Sequence, residues 1–179
     1  MNNQEVKLRS KRAFNGRIFD VDVDDVLLPD GSRSVRECVR HPGGAGVLFI
    51  KDRKVALVGQ FRYLYGVSTL EIPAGRLEKG EDPACAALRE LEEETGYRAE
   101  NCRHLIDLYP TPGYTDEIIH IYFVDGENAK FVGERPDEGE FLNVTFVPLD
   151  DLINDVRRGK INDAKTVCAV LMYESIKRA

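Results

Sequence analysis

The order of the segments predicts an α/β fold in which a mixed sheet lies between helical layers. Three observations predict it. Strand-like segments are interrupted by one helix and followed by two more, an alternation that places helices against a sheet. The interrupting helix has sharp start and stop signals. At 179 residues, of which 42% are hydrophobic, the chain can fill one ordinary core with a small extension.

In chain order, Gly16–Leu28 and Ser32–His41 are rich in β-favouring residues and flank Pro29-Asp30-Gly31, a turn with Pro at its second position and Gly at its fourth. This predicts an N-terminal hairpin. Val47–Ile50 and Val55–Phe61 flank Lys51-Asp52-Arg53 and predict a second hairpin, and Leu70–Ile72 a short strand. Asp82 is a capping residue, Pro83 suits the first helical position and Gly96 suits the position past the end, so a helix runs from about Pro83 to Thr95. Cys102–Tyr109, Ile118–Val124 and Phe141–Val147 read as strands, Leu149–Arg158 and Ala164–Lys177 as helices, and Gly126–Gly139 as one long polar loop.

A net charge of −6 provides no basic stripe, which argues against a nucleic-acid groove; small anionic substrates would have to be drawn by a metal and local arginines. Cys38, Cys85, Cys102 and Cys168 have neither metal-site spacing nor disulfide-scaffold density. No apolar run reaches transmembrane length, and no apolar region follows Lys7, Arg9, Lys11 and Arg12. The expectation is a cytoplasmic protein without membrane or nucleic-acid partners.

On the helix, at about 100° per residue, Ala84, Ala87, Leu88, Leu91 and Thr95 share one face and Glu90, Glu93 and Glu94 the adjacent one, while Glu92 points to solvent. Three like charges on one face repel, and glutamates near the helix C-terminus oppose its dipole, so a cation belongs there. Hard cations such as Mg²⁺ take oxygen ligands and are held by one or two carboxylates together with substrate phosphates. Glu81 and the loop Gly75–Gly80 lie just before the helix and can reach the same ion.

Read as a whole, Gly75, five residues, Glu81, seven residues, then Arg89-Glu90-Leu91-Glu92-Glu93-Glu94-Thr95-Gly96-Tyr97 resembles the Nudix box at every charged and glycine position. Tyr97 departs from the aliphatic residue usual there. The segments Leu27–Gly31, Val39–Gly43, Gly59–Arg62 and Glu71–Gly75 are similar to the ADP-ribose pyrophosphatases of that superfamily, as is Leu108–Glu117, with Pro112 fifteen residues beyond Tyr97.

The resemblance implies a Nudix α/β/α sandwich over residues 43–179, preceded by a β extension over residues 1–42 that is exchanged between the protomers of a homodimer. It implies Mg²⁺-dependent, or Mn²⁺-dependent, hydrolysis of ADP-ribose to AMP and ribose 5-phosphate. Other nucleoside diphosphate sugars, such as GDP-mannose, and a non-catalytic ADP-ribose sensor are the alternatives. Glu90, Glu94 and the Ala74 carbonyl become the expected metal ligands, with Glu93 close by and Arg89 orienting the glutamates through charge-assisted hydrogen bonds. Glu138 in the loop Gly126–Glu140 becomes the expected base and Glu140 a further metal contact, with an exchange of these two roles left open. Arg62 is the expected phosphate or ribose contact, Glu117 a hydrogen-bonding partner, and Phe19 or Tyr114 a stacking surface for adenine. Arg40 and Arg36 are phosphate contacts or rim salt bridges.

Overall fold

The computed structural model describes residues 3–135 and 142–178. It divides into two units, one formed by the chain up to Gly43 with Tyr109–Ile118, the other by Gly44–Leu108 with the chain from Ile119 onward.

The first unit carries three antiparallel strands in the order β1 (Val6–Asn15), β2 (Asp20–Leu27) and β3 (Arg33–Arg40). The β2–β3 turn forms where Pro29-Asp30-Gly31 predicts it: the Gly31 amide donates to the Leu28 carbonyl at 2.9 Å, with Gly31 at φ 84°. The expected two-stranded hairpin is thus corrected to a three-stranded sheet. Every residue of β1 is exposed, so the strand has no apolar alternation to reveal it. Side-chain charge instead reinforces its antiparallel ladder with β2. Arg12 bonds Asp20 and Asp22, and the Ser10 hydroxyl donates to Asp24 at 2.5 Å, matching a basic strand to an acidic one. Tyr109–Ile118 runs beside the end of β3, where the Val39 amide donates to the Tyr114 carbonyl at 2.7 Å and the Asp116 amide to the Val39 carbonyl at 3.1 Å.

The second unit is an α/β/α sandwich. Its mixed sheet has the order β12-β5-β4-β10-β9, built from β4 (Gly44–Lys51), β5 (Lys54–Arg62), β9 (Arg103–Leu108), β10 (Ile119–Asp125) and β12 (Asn143–Pro148); β4 and β10 are parallel. Alternation along β4 divides the core: Leu48 and Ile50 face α2 (Leu149–Arg157) and α3 (Ala164–Arg178), while Val47 and Phe49 face α1 (Pro83–Thr95). Leu57, Ile121, Leu152 and Val170 fill the first side; Ala56, Val124, Ala86, Ala87 and Leu91 fill the second. Each of the larger apolar side chains contributes about 1.5–3 kcal/mol by leaving water.

β4 and β5 pair only at Ile50 with Val55 and Lys51 with Lys54, then diverge. β6 (Val67–Glu71) pairs with β5 and β7 (Ala74–Arg76) with β4, both antiparallel, so the chain crosses the split at Ile72-Pro73. The Val47 amide donates to the Pro73 carbonyl at 2.9 Å, and the Ile72 amide to the buried Thr166 hydroxyl at 2.8 Å. The split thereby fixes the start of the acidic segment. β8 (Tyr97–Arg98) and β11 (Lys130–Phe131) pair separately.

Candidate functional site

Helix α1 has the predicted bounds. Asp82 accepts from the amides of Ala84 (2.9 Å) and Cys85 (3.3 Å), and Gly96 closes the helix in the left-handed region with its amide on the Glu92 carbonyl. Glycine is required at 96 twice over: φ is 72°, and a Cβ would meet the Phe131 ring at 2.6 Å. The core-facing stripe is rotated from its expected position toward the glutamates. Ala86 is buried with Ala87, Leu91 and Thr95, while Ala84 and Leu88 are only half-buried. The rotation comes from packing on β4 and β7, and it carries the Glu94 carboxylate inward to 8% exposure, where the Ala74 amide donates to it at 3.0 Å.

Arg89 sits inside the acidic cluster. Its guanidinium donates to both Glu81 oxygens at 2.9 and 3.0 Å, to Glu90 at 2.7 Å, to Glu93 at 2.8 Å and to the Arg76 carbonyl at 3.2 Å. The hydrogen bond to Glu81 leads the influences that raise the Arg89 pKa, and the same bond lowers that of Glu81, so each ion stabilises the other's charged form. Glu92 faces away from the cluster toward solvent as expected, where Arg98 grips it in an exposed two-pronged pair at 2.7 and 2.8 Å. Arg135 donates its amide to the Glu93 carbonyl at 2.8 Å, which ties the chain to the end of α1 just before the undescribed residues. Glu138 and Glu140 lie outside the described residues.

The donor set fits a hard divalent cation. Glu90 and Glu94 bring carboxylate oxygens to β7, and Glu90 lies on the open face of Gly75, where a Cβ would overlap its carboxylate. Any side chain at 75 would displace the glutamate.

Arg62, expected to touch substrate, is held by Glu71 through two bonds of 2.6 and 2.5 Å. Glu71 is 4% exposed and also bonds Thr69 and Lys165; Lys165 in turn pairs with Asp163 at 2.9 Å. Burial works to raise the Glu71 pKa, but the hydrogen bond from Arg62 and the charge of Lys165 outweigh it and hold the group at about 2. The sequence reading missed this network because Glu71 and Lys165 are 94 residues apart.

The first unit collects the other expected substrate contacts. Arg40 pairs with Asp22 (3.1 Å), Asp24 (2.8 Å) and Asp116 (3.2 Å), and Arg36 with Glu5, so both take part in salt bridges. Glu117 lies 3.4 Å from the His41 ring, and the Tyr114 ring is exposed. Phe19, Arg40 and His41 line a cavity of about 340 Å³. No helix among the described residues is long and apolar enough to cross a membrane.

The acidic helix, the glycine that accommodates Glu90 and the split sheet that presents them match a known family, whose NUDIX domain pattern covers residues 40–170. The chain belongs to the Nudix family. Among similar proteins, this Nudix chain is 45% identical over 93% of its length to the methanol dehydrogenase activator of Bacillus methanolicus, 91% of which is covered. It is 41% identical over 98% of its length to the ADP-ribose pyrophosphatase of Bacillus subtilis (strain 168), covering 95% of that protein. A crystal structure described as an ADP compounds hydrolase shares the fold with a TM-score of 0.84 at 22% identity, covering 98% of this chain and 95% of the other.

Proposed function

We propose that this Nudix protein hydrolyses ADP-ribose to AMP and ribose 5-phosphate with Mg²⁺, or Mn²⁺ in its place. The observation that carries the reading is the gathering of Glu81, Glu90, Glu93 and Glu94 around Arg89 and β7, together with the similarity to an ADP-ribose pyrophosphatase along nearly the whole chain. Glu90, Glu94 and the Ala74 carbonyl hold the cation. When bound, it neutralises phosphate charge and lowers the pKa of a coordinated water.

The reaction adds water across the P–O–P linkage: one phosphorus gains the hydroxyl oxygen, the bridging P–O bond breaks, and each product keeps one phosphate. The chain's own part is preorganisation. Arg89 keeps Glu81 ionised and orients Glu90 and Glu93 by hydrogen bonds, so the negative site exists before substrate arrives. Glu138 takes the proton of the attacking water and Glu140 adds a carboxylate to the metal set. Arg62 and Arg40 contact phosphate or ribose, Glu117 accepts a substrate hydroxyl, and Phe19 or Tyr114 stacks on the adenine.

The same reading makes the protein a homodimer by exchange of the N-terminal strands, supported by exposed Val6, Leu8, Phe14 and Val35 in that unit. Light scattering at micromolar concentration should return twice the chain mass; a monomer refutes the dimer. A cytoplasmic location belongs to the reading and is checked by cell fractionation.

The deciding experiment is a turnover panel with Mg²⁺ containing ADP-ribose, GDP-mannose, UDP-glucose, diadenosine polyphosphates and NADH, with an EDTA control. Fast EDTA-sensitive release of AMP and ribose 5-phosphate is the expected result. Preference for another sugar nucleotide overturns the specificity, and absence of turnover overturns the enzyme.

A further inference from the structure

A second group of metal-ligating side chains lies outside the glutamate cluster, on the edge of the sheet. The sequence contains three histidines, and two of them meet one carboxylate there. His104 Nε2 lies 2.7 Å and His120 Nδ1 2.8 Å from the same oxygen of Asp107, Oδ1. The ligand atoms of the three residues all fall within 4.8 Å of one another, the one such group among the described residues.

The backbone builds this meeting. On β9 and β10, Ile106 opposes Ile121 and Asp107 opposes His120, but the next pair is His104 with Tyr122, so Leu105 is an extra residue in the ladder. Simple alternation would send His104 and Asp107 to opposite faces of the sheet. The bulge reverses the alternation at Leu105, sends that side chain into the core and returns His104 to the face that carries Asp107 and His120. The His104 ring rests edge-on against Tyr122 with centroids 5.5 Å apart, which limits its rotation. β9 is an edge strand, so the group is open to solvent: the side chains of His104 and Asp107 are 49% and 44% exposed.

We propose that His104, Asp107 and His120 form an accessory site for a divalent transition-metal ion of the Zn²⁺ class, separate from the glutamate cluster of α1. Two imidazoles and one carboxylate are the donor set that borderline ions prefer, whereas a hard ion such as Mg²⁺ prefers the all-oxygen set of α1. Bonds of about 2.0–2.2 Å to zinc place ligand atoms roughly 3.3 Å apart, a spacing reached here by small rotations of the side chains. The ion takes the place of the protons shared between Asp107 Oδ1 and the two imidazole rings. Three protein ligands leave a fourth position for water. The ion clamps the edge strand to β10 across the bulge.

The test uses the full chain without a histidine tag, stripped of metal and held in excess Mg²⁺. Zn²⁺ binding is followed by calorimetry and Co²⁺ binding by visible absorption. The wild type should bind one more equivalent than the His104→Ala/His120→Ala variant, and Asp107→Asn should weaken the site about tenfold or more. The Glu90→Gln/Glu94→Gln variant should keep the site, and the histidine variant should keep Mg²⁺-dependent turnover, so failure of this site and failure of the hydrolase reading are told apart. Equal Zn²⁺ stoichiometry in the wild type and the histidine variant, or loss of the equivalent in the glutamate variant, overturns the proposal.

Discussion

Two arginines of this chain do the same electrostatic work in different ways. Arg89 binds Glu81, Glu90 and Glu93, all drawn from one capped helix and the turn before it. Arg40 binds Asp22, Asp24 and Asp116, drawn from a neighbouring strand and from a loop 76 residues away. The two guanidinium groups are comparably exposed, at 27% and 32%. They differ in where their partners come from. A local cluster is preorganised once α1 forms, and it can present charge to a ligand with little further ordering. A dispersed cluster instead holds segments together, so its energy goes mainly into the fold of its own unit.

The largest expected effect tests the local cluster. Glu94→Gln preserves shape and still accepts from the Ala74 amide, but removes the charge. Under the proposed function, turnover of ADP-ribose with saturating Mg²⁺ should fall about a thousandfold, roughly 4 kcal/mol of barrier, while the thermal midpoint moves little. If turnover survives, the cluster is structural and the contrast with Arg40 collapses.

Glu71→Gln comes next and concerns stability. The substitution leaves Lys165, 11% exposed, beside a neutral amide, and breaking such a buried pair costs about 3–5 kcal/mol, read by urea unfolding. Acid should reproduce part of the effect in the wild type. The folded-state pKa of about 2 lies below the ordinary 4.5, so this stabilisation is present above pH 4.5 and is lost as the pH falls from there toward 2. Unfolding free energies measured across that window should decline more steeply in the wild type than in Glu71→Gln.

Why one region was readable and the other was not follows from the same distinction. The bounds of α1 follow from Asp82, Pro83 and Gly96, which act within a turn of themselves, and the acidic spacing is a property of one helix. The turn at Pro29-Asp30-Gly31 is equally local. β1 was not readable because its residues face solvent and its stability comes from aspartates on β2; β7, β8 and β11 are too short to show a period. The rotation of α1 that buries Ala86 and Glu94 depends on β4 and β7 lying beneath it. Likewise, nothing in the spacing of His104 and Asp107 announces a bulge at Leu105. Local chemistry was legible; chemistry made by register or by distant pairing was not.

Arg40→Ala sharpens the comparison from the other side. It strips a partner from Asp24, whose side chain is 6% exposed and keeps its bonds from Ser10 and Cys38, at an expected cost of about 1–3 kcal/mol in unfolding free energy. With Arg40 placed at the substrate under the proposed function, KM for ADP-ribose should rise while kcat holds, because a contact made equally in ground and transition states affects binding alone. A fall in kcat with unchanged KM would put Arg40 in the same class as Arg89.

The smallest effect tests the helix face itself. Glu92 lies among the glutamates in sequence but pairs with Arg98 on the other side of α1, in an arrangement whose arginine side chain is 57% exposed. Exposed pairs of this kind contribute at most about 1 kcal/mol, less at high salt. Glu92→Gln should therefore shift the thermal midpoint slightly, lose even that shift in 1 M salt, and leave turnover as it was, whereas Glu94→Gln, two residues along, abolishes it. A strong activity loss at Glu92 would mean that charge density along the whole helix matters, and not the face that Arg89 and Gly75 define.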